Sequence, residues 1–395
     1  MVNIEREKIL FLSSRIPYPP IGGDRLKNYW LLKILSKYYK VHLVSISDKE
    51  IPLEFYEWAN SIGITYKIFI KPRRAFIFNV IKGILNNLPL QVNYYFFGDI
   101  KNYIESIYDD YDLIFSTLIR TAKYVMYIDK PKILDMADSI GLNYKSSSRR
   151  TSSLMYKLIY TIEANRLIKF ERKCVKLFNN TLFFNKREES FFRKYGKTTL
   201  IPHGVNEKLL IYDKYDERYK NCIVFFGKMN YQPNIDAVLW FVKRVLPLLP
   251  KNLKFLILGA SPTRRILKLK KKFSNIEVTG FVDDPYVILK SALCTVAPMQ
   301  TGGGIQNKIL ESMALGTINI VSSLAAQPIG GINMRDFIVE DDPEKIATII
   351  KDIYKNPQAY DHIKKSAREF IKNHFTWSIY EKKLISVIEE VLTNN

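Results

Sequence analysis

Cysteine and histidine are scarce in this chain. Its 395 residues include three cysteines, Cys174, Cys222 and Cys294, and four histidines, His42, His203, His362 and His374. The cysteines are odd in number, far apart and set in apolar runs, with no C-x-x-C pair. This excludes a disulfide framework and the usual zinc spacings, and it fits a reducing compartment. The histidines form no ligand cluster either. No apolar stretch reaches the roughly 18 residues of a membrane-spanning helix. The run Ile9–Leu12 is too short for the core of a signal peptide, so a cytoplasmic location is expected. Acidic residues are in deficit, with 39 Asp and Glu against 60 Lys and Arg and a formal charge of +21. The excess favours anionic partners (nucleotides, nucleic acid or an acidic membrane face) without choosing among them, and a solvated lysine-rich surface explains much of it equally well.

What is present is a regular alternation. Lys8–Ser13 is a short apolar run that reads as a buried strand. A Pro/Gly-rich loop, Arg15–Gly23, follows, then helical spacing from Asp24 to Tyr39 and a second strand at Lys40–Ile46. That is one β-α-β unit, and such units wind into parallel sheets. The loop lacks the G-x-G-x-x-G fingerprint, which argues against NAD. Strand-like runs continue at Thr65–Ile70, Asp112–Ser116, Lys132–Met136, Asn180–Phe184 and Thr199–Ile201. After Gly204 the composition turns polar, and 206–221 is the best candidate for an interdomain linker. A second alternating series begins at Cys222–Phe226, with strands at Lys254–Leu258, Ile276–Thr279, Cys294–Ala297 and Ile318–Val321 and a helix at Ile305–Leu315. The expected fold is α/β, two Rossmann-like doubly wound domains facing an interdomain cleft. Ligands of open α/β sheets bind at the carboxyl ends of the strands. On pattern alone a dehydrogenase or a periplasmic-type binding protein fits equally.

Pro298–Gly316 (PMQTGGGIQNKILESMALG) is the most informative segment. Three glycines between a strand and a helix let backbone N–H groups approach a ligand, and the helix start adds positive charge. This arrangement suits a diphosphate. Lys308 adds a full charge one turn into the helix, and Glu311 lies on the same face, where it could accept from ribose hydroxyls. A flexible loop with a solvent-facing Lys/Glu pair is an even alternative on these residues alone.

The segment resembles the C-terminal signature of glycosyltransferase family 4, retaining enzymes of the GT-B fold. The family pattern is a carboxylate, seven residues, then a second carboxylate opening E-A-M-A-x-G. Glu311-Ser312-Met313-Ala314-Leu315-Gly316 is similar to its second half, and the first carboxylate would fall at Gly303. The run resembles a Gly-rich subset of bacterial polysaccharide sugar transferases, written G-G-G-I-x-x-K-x-L-E. The resemblance implies ribose contact for Glu311 and phosphate or sugar contact for Gly302, Gly303, Gly304 and Ile305. It implies donor or acceptor contact for Gly22 and Gly23, where an ordinary turn after Pro19-Pro20 is the alternative. Phe226-Gly227-Lys228 resembles the start of the family's C-domain, which makes Gly227 and Lys228 candidates for the diphosphate clamp together with Lys308. Thr279–Asp284 resembles the base-reading loop, with Phe281 and Val282 at the nucleobase. Asp283 or Asp284 caps the next helix. Asp138, at the end of the strand Lys132–Met136, is a candidate for sugar or acceptor contact, with capping of the next turn about equally supported. Ile201–Asn206 is similar to the family's I-P-N-G-V-D, and His203 reads as a loop histidine.

The catalytic candidates are therefore Asp138, Lys228 and Lys308. Asp110-Tyr111-Asp112 has a D-x-D spacing but precedes its strand instead of ending it, so a turn is expected and no metal or other cofactor. The resemblance implies domains of 1–205 with 376–395 as a returning helix, binding the acceptor, and 206–375, binding the donor. It implies a UDP- or GDP-linked sugar, a saccharide or lipid-linked acceptor, and surface polysaccharide or glycoconjugate assembly. A basic, apolar stretch at 71–85 could lie on the inner face of an anionic membrane. Neither it nor the Lys-rich 264–273 has the aromatic spacing of an RNA-stacking module, so no nucleic acid is expected. A sugar-nucleotide epimerase of the same fold and a non-catalytic polyanion- or membrane-binding protein are the competing readings.

Overall fold

A computed structural model describes residues 6–84, 86–150, 154–302 and 304–394. The chain divides into two compact units, one of residues 1–202 with 381–395 and one of 203–380.

The first unit holds seven parallel strands: β1 (Lys8–Ser13), β2 (Lys40–Ser47), β3 (Thr65–Ile70), β4 (Leu113–Thr117), β5 (Lys132–Ala137), β6 (Asn180–Phe183) and β7 (Thr198–Leu200). Their order is β3-β2-β1-β4-β5-β6-β7, so the winding reverses at β1. A strand covered by helices on both faces must be apolar throughout, and β1 is: Ile9 to Leu12 are all buried. Phe11 pairs in register with Leu43 and Phe115 and stacks on the Phe115 ring at 5.4 Å. The helices are α1 (Gly23–Tyr38), α2 (Leu53–Ser61), α3 (Arg73–Ile84), α4 (Leu90–Tyr94), α5 (Gly98–Ile107), α6 (Leu118–Val125), α7 (Ile140–Arg150), α8 (Leu154–Leu177) and α9 (Lys186–Phe192). On one face Leu10, Ile114 and Leu134 of the sheet pack with Val92, Leu167 and Cys174 of the helices.

The second unit has six parallel strands in the order β10-β9-β8-β11-β12-β13. They are β8 (Cys222–Phe226), β9 (Lys254–Leu258), β10 (Ile276–Gly280), β11 (Cys294–Ala297), β12 (Asn319–Val321) and β13 (Ile338–Val339). The winding reverses between β8 and β11. Its helices are α10 (Gln232–Arg244), α11 (Arg264–Lys272), α12 (Pro285–Ser291), α13 (Asn307–Ala314), α14 (Ser323–Ala326), α15 (Pro343–Lys355) and α16 (Asp361–His374). The last helix, α17 (Trp377–Thr393), begins in this unit, and from Glu381 onward the chain belongs to the first.

Two expectations need correction. The polar segment 206–221 is not a free linker but a strap on the second unit. Leu209 joins its core, with Leu210, Tyr212 and Tyr219 packed against it. Tyr212 OH donates to Asp284 Oδ2 at 2.8 Å, and Arg368 donates to the Leu210 carbonyl. These few apolar side chains pin it to the core despite its polar composition. The helix expected at Ile305–Leu315 starts at Asn307, because Gln306 is in extended conformation at its N-cap.

Candidate functional site

The carboxyl edge of the second sheet is shaped by backbone. Gly227, just after β8, has φ 150°. A Cβ there would stand 2.8 Å from Asn234 Nδ2. Gly259, just after β9, has φ 148°, and a Cβ there would fall 1.9 Å from the Gly227 carbonyl oxygen. The two strand ends therefore pack backbone to backbone, which only glycine permits. Gly259 escaped the sequence reading because it belongs to no motif. Gly280 ends β10 at φ 73° and turns the chain into exposed Phe281 and half-buried Val282.

The glycine run follows β11. Gly302 and Gly304 take φ 95° and 84°, and Gly303 lies outside the described residues. A Cβ on Gly302 would be 3.6 Å from Pro233 Cβ, so the loop passes over the first turn of α10. Ile305 is partly buried against the core. One residue ties these loops together. Asn234 Nδ2 donates to the Lys228 carbonyl at 2.9 Å, and Asn234 Oδ1 accepts from Lys308 Nζ at 2.6 Å. Asn234 also lies in the first turn of α10, behind a proline that suits a helix start. The bridging role depends on the meeting of β8 and β11, which brings together side chains 74 residues apart in sequence, and local pattern carries no sign of it.

Lys308 Nζ also sits 4.3 Å from the centre of the Phe225 ring and 3.7 Å from Met299 Sδ. These neighbours supply little countercharge. Desolvation lowers the Lys308 pKa from its ordinary 10.5 to about 7. Desolvation likewise raises the Glu311 pKa from 4.5 to about 7. Among the described residues neither side chain is in an ion pair, although they lie one turn apart on α13. Lys228 is exposed. Gly227, the Lys228 backbone and Lys308 thus meet at Asn234, and Gly302 lies over the adjacent Pro233. Asp284 caps α12 by accepting the Tyr286 N–H at 3.2 Å.

Asp138, Gly22 and Gly23 belong to the first unit. Gly22 is the N-cap of α1 at φ 102°, a conformation that disfavours any side chain, whereas Gly23 has open space around it. From α1 the buried Lys27 pairs with Asp135 of β5, its Nζ 3.7 Å from the Phe184 ring centre. Next to Asp135, Ala137 has φ 61°, a strained backbone that carries Asp138 out of the strand. Asp138 accepts from Asn185 Nδ2 at 3.2 Å. Burial raises its pKa to about 6, with Lys27 opposing. The cap of α7 comes from Ser139, whose Oγ accepts the Leu142 N–H at 3.0 Å, so Asp138 is not spent on it. Ser139 in turn donates to Glu171 at 2.7 Å and, through its N–H, to Glu188 at 2.5 Å. Burial raises the Glu171 pKa to about 7 and raises that of Glu188 as well, the latter also through Asp138. This carboxylate cluster draws on α8 and α9, and sequence analysis found only Asp138.

The first unit also has a cavity of about 430 Å³ at the carboxyl ends of β1 and β2, lined by Arg15, Arg25, Arg73, Tyr94 and Tyr95 among others. His203 Nδ1 donates to the Gly204 carbonyl, 2.7 Å away, and the ring packs on Trp377, as a structural loop residue does. In the D-x-D-like turn, Asp112 accepts the Lys8 N–H at 2.7 Å and so fastens β4 to β1.

These features can be set against known proteins. Residues 220–356, which hold β8 to β13 and the edge just described, match the family model described as Glycosyl transferases group 1. Over 97% of its length the chain is similar to the UDP complex of Anabaena Alr3699/HepE, with 14% identity, all of that chain covered and a TM-score of 0.69. Over 99% it is similar to sucrose-phosphate synthase from Thermosynechococcus elongatus, with 17% identity, all of that chain covered and a TM-score of 0.70. A glycosyltransferase from Rickettsia africae ESF-5 shares 11% identity over 99% of this chain and all of that one, with a TM-score of 0.61. The fold is α/β of the GT-B type, and the family match supports the glycosyltransferase superfamily. No curated protein matches by sequence.

Proposed function

We propose that the chain is a glycosyltransferase that moves a sugar from a nucleoside-diphosphate donor to a saccharide or lipid-linked acceptor, with retention at the anomeric carbon. The observation that carries this reading is Lys308, desolvated beside Asn234 and Phe225 at an edge of glycine backbone, with Glu311 one turn on. An ammonium held with little countercharge gains from a diphosphate, and the N–H groups of the glycine loop and of the first turn of α13 add donors. A carboxylate held the same way gains from two ribose hydroxyls. Lys228, on the neighbouring strand end, is the second cation for the leaving phosphate. The base lies over Phe281 and Val282. The neighbouring HepE structures contain UDP and UDP-glucose, which favours UDP as the donor nucleotide here.

The positive charge that stabilises the leaving diphosphate then comes from Lys228, Lys308 and amides, and the reaction proceeds without a metal ion. Departure of the diphosphate leaves oxocarbenium character at the anomeric carbon, and the departing phosphate takes the acceptor proton on the same face. No carboxylate nucleophile is required, in contrast to retaining glycoside hydrolases. Asp138 and the cavity at β1 and β2 are the acceptor-side candidates. A role in surface polysaccharide or glycoconjugate assembly at the inner membrane face fits a lipid-linked acceptor.

The test is thermal stabilisation by UDP, GDP, ADP and CMP in the presence of EDTA. A ligand that binds only the folded chain raises its midpoint by mass action. A shift with one nucleoside diphosphate identifies the donor base and metal-free binding. No shift with any of them, also with magnesium or manganese present, removes the donor site and leaves the polyanion-binding reading.

A further inference from the structure

Helix α8 carries two apolar stripes on opposite sides. Its second half turns Ala164, Leu167, Ile168 and Cys174 into the core. Its first half places Leu154, Met155, Leu158, Ile159 and Ile162 at helical spacing on the other side, facing away from the core. Leu154 is 83% exposed and Leu158 62%. A stripe this regular costs solubility where it stands in water, so something covers it. The same occurs on α3. Phe76 is buried among Tyr94, Tyr95 and Phe97, while Ile77, Phe78 and Ile81 point outward, Ile77 and Phe78 being 57% and 54% exposed.

Helix α4 joins the two faces. A Cβ on Gly83 of α3 would lie 2.4 Å from the Asn93 side chain of α4. At the other end of α4, the Leu90 N–H donates to Glu163 of α8 at 2.8 Å and Gln91 donates to Tyr144 of α7 at 2.7 Å. Both helices therefore pack their inner sides on one short helix, which holds them as neighbours with their apolar stripes turned outward. Their charge has one sign. Lys71–Gly98 and Ser139–Ile162 contain no Asp or Glu, while exposed Arg74 and Lys82 stand on the first and Lys145, Arg149 and Lys157 on the second. The stretch 71–85 is only half of this surface, and its last residue, Leu85, lies outside the described residues.

We infer that α3 and the first half of α8 form a docking surface for an anionic lipid bilayer, with apolar side chains entering the headgroup layer and the basic residues meeting lipid phosphate. A basic margin around an apolar face matches that partner, the nearest acids, Asp48 and Asp99, being paired with Arg73 and Lys71 at the start of α3. A second copy of this chain would bring like charges together, which disfavours a dimer through the same face. The inference does not depend on the donor site.

The experiment is vesicle flotation of the full chain. Phosphatidylcholine vesicles are compared with vesicles containing about 30 mol% phosphatidylglycerol, a content that gives the negative surface potential basic side chains respond to. The chain floats with the anionic vesicles. The double variant Met155→Asp, Leu158→Asp lowers the bound fraction about tenfold, as does Ile77→Asp, Phe78→Asp, since buried apolar area sets the affinity. Arg74→Glu with Lys82→Glu weakens binding to anionic vesicles only. All three keep the wild-type melting midpoint, because every changed side chain is exposed. Failure of the wild-type chain to float, or floating unchanged in both apolar variants, overturns the inference. So does a wild-type dimer in light scattering that the Met155→Asp, Leu158→Asp variant converts to monomer.

Discussion

The carboxyl edges of the two sheets use charge in opposite ways. In the first unit charged side chains find partners within the edge itself. Lys27 pairs with Asp135, Arg73 with Asp48 at 2.9 Å and Arg15 with Asp24 at 3.2 Å, while Ser139 serves Glu171 and Glu188. In the second unit the edge is glycine backbone, and its two desolvated side chains, Lys308 and Glu311, are in no ion pair among the described residues. A self-paired edge holds itself in shape and leaves a cavity. Under the proposed function, an edge with cation and carboxylate held apart receives a ligand that carries phosphate at one end and hydroxyls at the other.

The contrast makes the largest effect one of stability in the first unit. Lys27→Ala leaves Asp135 buried without its partner and costs about 3–5 kcal/mol, read from denaturant unfolding. Lys27→Met combined with Asp135→Leu recovers most of that loss; if the double variant is as unstable as the single, the pair is not self-contained. In the second unit the corresponding change affects function instead. Lys308→Ala leaves folding intact and lowers transfer about 10²–10³-fold, since it removes a preorganised charge from the leaving phosphate. A collapse of stability with unchanged nucleotide binding would reverse the roles of the two edges.

The same contrast explains what was legible in the sequence. Glycine is visible as a letter, so Gly22, Gly227, Gly302 and Gly304 could be read where a motif pointed to them, and each has a positive φ. The strands at Lys8–Ser13, Cys222–Phe226, Lys254–Leu258 and Cys294–Ala297 lie where apolar runs placed them, because strands buried on both faces must be almost uniformly apolar. Partnerships between distant segments were not legible. Asn234 meets Lys308 only when β8 and β11 pair, and Glu171 reaches Ser139 only when α7 folds back on α8, an approach so close that a Cβ on Gly141 would fall 2.7 Å from Ile168. Segment 206–221 misled for a related reason: its polar composition hid the few apolar side chains that pin it to the core.

Smaller effects sharpen the picture of the second edge. Glu311→Ala weakens donor binding by about 1.5–3 kcal/mol, the range for hydrogen bonds to a charged group, and calorimetric titration reads it directly. The loss shrinks with a 2′,3′-dideoxynucleotide, which has no hydroxyls to give. Asn234→Ala costs about 1 kcal/mol of binding by releasing Lys308 from its bridge.

The last effect is on pH dependence. The Glu311 pKa is raised from 4.5 to about 7 in the folded chain, so its contribution to stability is full below 4.5 and is lost as pH rises through about 7. The Lys308 pKa is lowered from 10.5 to about 7, so the unfolded chain binds the extra proton between those values and stability rises with pH across that interval. Glu311→Gln therefore flattens the melting profile on the acid side of neutrality, and Lys308→Met flattens it on the alkaline side. Profiles that match the wild type in both variants would show that desolvation does not govern this edge.

Amide hydrogen exchange with and without saturating UDP or GDP tests the donor site most directly. The account predicts slowed exchange at 227–229, at 299–308 and around Val282, on the loops that Asn234, Gly302 and Gly280 position. Protection confined to the first unit, or unchanged exchange at all three segments, would contradict it.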